Sequence, residues 1–146
     1  MFSIKGFLPL KFQKTLSAVA YQQLAENYMN IAKYCSLFIK KKLLIRAFEC
    51  AKIGFDLTED QNEFPKEMFL SLSLSLMVAE LGLRLDRPDR EWEWFLKHTE
   101  LNIDNVPNAQ QWALLANNIA KIYTIASEPD IAARWNVDAS SKLGYV

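Results

Sequence analysis

The run MFLSLSLSLMVAELGLRLD, Met68 to Asp86, limits the fold more than any other part of this 146-residue chain. Leu70, Leu72, Leu74 and Leu76 alternate with Ser71, Ser73 and Ser75. Such alternation is the pattern of a half-buried strand. A strand of this length would far exceed the usual run of about 5–6 residues. On a helix turning about 100° per residue, Leu70 and Leu74 fall at roughly 0° and 40°, and Leu72 and Leu76 at roughly 200° and 240°. Ser71 and Ser75 fall between the two pairs. The same letters therefore describe a helix with two opposed leucine faces and a small-residue side. Leu81 and Leu85 continue one face, and Ala79 and Leu83 the other. The run predicts a central helix, packed on two sides, whose serines let a neighbour approach closely.

The rest of the chain agrees with helices. Four Gly and five Pro are too few for a sandwich of many short strands, and 51% hydrophobic residues are too many for disorder. Residues 1–14 carry Lys5, Lys11 and Lys14 without an acid and read as a basic N-terminal arm. From Thr15, the residues Leu16, Val19, Ala20, Leu24, Tyr28, Ile31, Ala32 and Cys35 recur at three- and four-residue steps and mark the apolar face of a first helix. Leu44, Ala47, Phe48 and Ala51 mark a second helix that ends near Gly54. Asp56 to Phe64 reads as a polar loop, and Pro65 as the first turn of the central helix. Pro88 to Leu101 and Asn108 to Ala126 give two more helices. A capping-box-like Ser127-x-x-Asp130 starts a short sixth helix that ends near Trp135. The expected fold is all-α: five to six antiparallel helices arranged as helical hairpins, in a single domain over 15–135 with an irregular tail at 136–146.

Two segments share an internal pattern: Tyr28-x-x-Ile31-Ala32-x-x-Cys35 and Trp112-x-x-Leu115-Ala116-x-x-Ile119. This pattern resembles the first helix of the tetratricopeptide repeat, W-x-x-L-G-x-x-Y. Leu44, Phe48 and Ala51 fall at the offsets of that repeat's second helix. The resemblance spans residues 22–135 and is partial. Leu44 stands where the repeat has a small residue, no Pro closes the unit, and the two copies lie 84 residues apart, against a unit of about 34. Two architectures stay open, tetratricopeptide-like hairpins and a plain bundle. The resemblance implies a groove that receives a peptide or helix, with Asn27, Asn30, Tyr34, Gln111 and Asn118 as the groove-facing positions.

Charge is unevenly spread. Through Phe55 there are nine Lys or Arg against two acids, giving +7; from Asp56 there are eight against fifteen, giving −7. Oppositely charged halves would either neutralise one another inside a compact bundle, the more common outcome, or attract head to tail and favour self-association. Lys33, Lys40, Lys41, Lys42 and Arg46 form a basic patch with Tyr34 and Phe38 nearby, a pattern that suits an anionic polymer or membrane surface. A lysine run at a helical corner is more often just solvated, and a pI near 6.6 argues against nucleic acid.

Cys35 and Cys50 are too few for a disulfide framework or a zinc site and read as small apolar residues of a reducing compartment. No secretory leader or transmembrane segment is legible, and the reading is cytoplasmic. His98 is the single histidine; Glu91 or Glu93 could join it in an acid–base pair, but no nucleophile, metal set or phosphate loop accompanies them. No cofactor and no metal are expected. The reading is a non-enzymatic protein–protein interaction module, an adaptor, chaperone-like or regulatory subunit, whose partner is another protein or peptide. The alternative is a binder of anionic polymer or membrane through the basic N-terminal half.

Overall fold

In the computed structural model, which describes residues 10–59 and 65–144, the chain is all-helical. The helices are α1 (Leu10–Ala32), α2 (Leu37–Thr58), α3 (Pro65–Arg84), α4 (Glu91–Asn102), α5 (Ala109–Ile125) and α6 (Pro129–Lys142). A 3-10 turn at Ile103–Asn105 joins α4 to α5. Successive helices pair as hairpins, α1 with α2, α3 with α4 and α5 with α6. The third helix ties these together, packing on α2, α4 and α5, while it barely meets α1.

Both leucine stripes of α3 are buried: Leu72, Leu74, Leu76, Val78 and Leu81 are all closed to solvent. Ser71 and Ser75 are buried too. The Ser75 hydroxyl donates to the Phe95 carbonyl of α4 at 2.9 Å, so the small-residue side is where α4 docks. Gly82 continues that side. A methyl group there would sit 3.3 Å from Trp92 Cβ and 3.4 Å from the Phe48 ring. No strand occurs among the described residues.

The first hairpin keeps Tyr28 and Ala32 of the expected face against the core but turns outward the larger aliphatic residues on that face of α1. Its buried residues are Ala18, Ala25 and Ala32, spaced by seven, whereas Leu16, Val19, Leu24 and Ile31 are exposed. The cause is how closely the backbones approach. At Gly54 a Cβ would lie 3.4 Å from the Ala18 carbonyl oxygen and 3.0 Å from a Leu74 methyl. Alanine fits that gap on α1 and leucine does not. Gly54 is therefore a contact inside α2 rather than its end, and the helix runs on to Thr58, whose buried hydroxyl donates to the Phe55 carbonyl at 2.7 Å.

Other boundaries also move. The helix expected from Thr15 begins at Leu10, so only residues 1–9 of the basic arm lie outside the described residues. The loop expected at 56–64 is helix to Thr58, and 60–64 lie outside the described residues. The sixth helix continues past Trp135 to Lys142, because Ala132, Trp135 and Ala139 keep one stripe facing α5 and no breaker intervenes. Ser127 does not cap α6. It adopts a left-handed φ of 64° and closes α5: its N–H reaches the Thr124 carbonyl, and the Glu128 N–H reaches Tyr123 at 2.8 Å. Asp86, φ 51°, ends α3 in the same way through Leu83 and Gly82. These are Schellman closures made without glycine. The fourth helix starts at Glu91 rather than Pro88, because Arg90 is also left-handed and the Asp89 carboxylate accepts the Glu91 N–H at 3.1 Å. That hydrogen bond, ahead of the neighbouring Arg87, holds the Asp89 carboxyl below its usual range.

Candidate functional site

Because α3 stands between the first hairpin and α5, the two flanking units do not close over it. A groove of about 1000 Å³ is left there. Its floor is the C-terminal half of α3, with Met77, Glu80, Leu83 and Arg84. One wall is the end of α1 and the start of α2, with Met29, Lys33, Leu37, Lys40, Lys41 and Leu44. The opposite wall is α5, with Lys121 and Ile125.

Five cations thus surround an apolar floor. Glu80 is the floor's one carboxylate and is only 13% exposed. It bonds Arg84 Nε at 2.8 Å and lies 3.3 Å from Lys121 Nζ, so it links the two cations of the α3–α5 side. On the other wall Lys33, Lys40 and Lys41 are exposed. Glu26 and Asn30 complete the rim. The arrangement can hold an apolar side chain on the floor while its flanks neutralise negative charge on both sides.

Of the five groove-facing positions expected from the sequence, only Asn30 lines the groove. Asn27 is exposed on α1 and hydrogen-bonded to Gln23. Tyr34 is exposed at the α1–α2 turn. Gln111 lies at the start of α5, where its N–H is capped by the Asn108 side chain, far along the helix from Lys121. Asn118 lies one turn before Lys121, short of the groove. The expectation took its faces from a repeat register that the alanine packing of α1 does not follow. Of the basic patch, Lys33, Lys40 and Lys41 enter the wall, while Lys42 lies over the Phe38 ring and Arg46 is exposed outside the groove. Arg84 and Lys121 were missed. The signal for Arg84 was its i,i+4 spacing from Glu80; Lys121 is brought in only by the packing of α5 on α3.

His98 lies elsewhere, stacked on Trp94 with centroids 5.0 Å apart and edge-on to Phe55 at 5.6 Å. Burial pushes its pKa below the ordinary value, partly opposed by Glu59. Neither acid considered with it is available: Glu91 pairs with Lys52 at 2.8 Å, and Glu93 with Arg90. Trp94 is 55% exposed, whereas Trp92 is half-buried and packs against the core that Phe95 and Leu96 help to fill. Cys35 and Cys50 are unpaired and half-buried, and burial raises the Cys50 thiol. No group of three or more His, Cys, Asp or Glu among the described residues is placed to hold a metal ion. No described helix is long and apolar enough to cross a membrane. Comparison with family models, with curated protein sequences and with solved structures finds no match to the chain.

Proposed function

We propose that the chain is a protein-interaction module, an adaptor or regulatory subunit, that receives an acidic, amphipathic helix or peptide of a partner protein in the groove beside α3. The observation that supports this reading is an apolar lining, Met77 and Leu83 on the floor and Leu44 on the wall, set between Lys33, Lys40 and Lys41 on one side and Arg84 and Lys121 on the other. Helix-in-groove recognition uses such a combination: apolar anchors supply affinity, and complementary charge supplies orientation and selectivity. The concavity between two hairpins is also what the tetratricopeptide-like resemblance leads one to expect, although its lining differs from the expected residues.

Fluorescence anisotropy with a labelled acidic amphipathic peptide, and with its lysine-for-glutamate counterpart, tests the reading. The acidic peptide binds and the basic one does not. Lys41→Glu and Lys121→Glu each weaken binding about ten-fold, the scale of a lost charge contact of about 1.4 kcal/mol. Equal binding of both peptides, or unchanged affinity in both variants, would remove the groove from consideration.

A further inference from the structure

A second surface, at the turn of the first hairpin, shares Leu37, Lys33, Lys40 and Lys41 with the groove wall, but its Tyr34 and Phe38 are not explained by the groove. Three of the four most exposed large apolar side chains of the described residues are neighbours there: Tyr34 at 90%, Leu37 at 84% and Phe38 at 71%; the other, Leu101, stands apart on α4. Ile31 and Ile39 flank them, about half exposed. Single exposed apolar residues are ordinary on protein surfaces, but a contiguous cluster is not. Its electrostatic setting is one-sided. Between Glu26 and Glu49 the chain has five cations, Lys33, Lys40, Lys41, Lys42 and Arg46, and no acid. All five are exposed, and Lys42 Nζ rests 4.5 Å above the Phe38 ring.

We infer that this hairpin tip docks on an anionic lipid bilayer, with Tyr34, Leu37 and Phe38 entering the headgroup–acyl boundary and the surrounding lysines contacting lipid phosphates and carboxylates. Shallow insertion of an apolar surface collared by basic residues is how a protein lies on a membrane without spanning it. Tyr34 and Phe38 do not line the groove, so they suit a soft, flat partner rather than a peptide seeking a cleft. Leu37 and Ile39 have no role along a nucleic-acid backbone, where aromatics stack on bases and aliphatics do not. The backbone also tolerates the position. The Tyr34, Cys35 and Lys40 amides are bonded to the Ile31, Ala32 and Ser36 carbonyls. Those of the first α2 turn have no cap from the Ser36 side chain and stay at headgroup depth, where phosphate oxygens can accept them.

Co-sedimentation with phosphatidylcholine vesicles, with and without phosphatidylserine, tests the inference on the full chain. The protein sediments with the anionic vesicles alone and is released as salt rises. Lys42→Gln lowers partitioning about five-fold, as expected for one cation near a charged bilayer. The double variant Tyr34→Ser, Phe38→Ser lowers it by about ten-fold or more with an unchanged melting temperature, since neither side chain is in the core. Phe38→Trp retains binding, and its emission moves to shorter wavelength on anionic vesicles. Lys121→Glu, on the far wall of the groove, leaves vesicle binding intact, so this site and the peptide groove succeed or fail separately. Absence of binding to anionic vesicles overturns the inference. So does binding that ignores the apolar double variant, and so does homopolymeric RNA that displaces the chain from vesicles and binds the double variant as well as the parent.

Discussion

Two serines in one leucine-rich helix are expected to respond to the same substitution with opposite signs. Ser71 and Ser75 lie one turn apart on α3, and both are fully buried. The Ser75 hydroxyl donates to the Phe95 carbonyl at 2.9 Å, while the Ser71 hydroxyl has no hydrogen-bond partner. Replacing Ser71 with Ala removes an unpaired buried hydroxyl, whose burial costs about 1–3 kcal/mol. The change also gains roughly 0.5 kcal/mol of helix propensity. Loss of packing around the missing oxygen offsets part of this, leaving a net stabilisation of about 1–2 kcal/mol. For Ser75→Ala the lost hydrogen bond is worth about 1 kcal/mol, and the same propensity gain offsets half of it. No acceptor is orphaned, because the Thr99 hydroxyl still donates to the Phe95 carbonyl at 3.0 Å. The net is a destabilisation of about 0.5 kcal/mol. At roughly 2–4 °C per kcal/mol for a chain of this size, Ser71→Ala raises the melting temperature by about 2–8 °C and Ser75→Ala lowers it by about 1–2 °C. Thermal melts followed by circular dichroism, with urea titrations to check that the m-value is unchanged, read both. If the two variants shift in the same direction by similar amounts, the Ser71 hydroxyl is satisfied and the reasoning fails.

The alanine packing of α1 predicts that Ala25→Leu destabilises by about 2 kcal/mol or more through overpacking, whereas Ile31→Ser on the exposed face stays within about 0.5 kcal/mol; urea denaturation separates the two. Ser127→Gly relieves a left-handed non-glycine residue at the end of α5 and raises stability by about 1 kcal/mol, seen as a higher urea midpoint. His98 is held neutral by burial, so its contribution to stability is complete above the unfolded value of about 6.5 and is lost as pH falls from there through the depressed folded value. Between pH near neutrality and mild acid, the parent therefore loses more melting temperature than His98→Gln does; parallel slopes would show that His98 does not titrate in that window.

The central helix was legible because no register of Met68 to Asp86 leaves its leucines solvated on a single face, so two-sided burial followed from the letters alone. The start of α5 was legible at Asn108, whose side chain caps the helix. What misled was the size of side chains on α1. Periodicity there marks two candidate stripes, and the larger residues looked like the core. The choice was made instead by how close α1 comes to Gly54 of α2, a nonlocal distance. The ends of α3 and α5 were obscured because Asp86 and Ser127 hold conformations that glycine usually signals. The groove was half legible: Lys33, Lys40 and Lys41 stand together in sequence, but Arg84 and Lys121 meet them only once α3 is flanked on both sides.

The way α1 is attached has a consequence for how the protein opens. Among the described residues, it rests on α2 through three buried alanines, with Tyr28 and Met29 half-buried beside them, and scarcely meets the other helices, whereas α3 is enclosed by three. Small alanine contacts bury little apolar area per turn, so α1 should lift away at a free energy well below that of global unfolding. Its backbone amides then exchange with deuterium through this partial opening, while those in the middle of α3 wait for the whole chain to unfold. The tip that carries Tyr34 and Phe38 is the hinge of that motion, and any partner that grips it ties down the least protected helix.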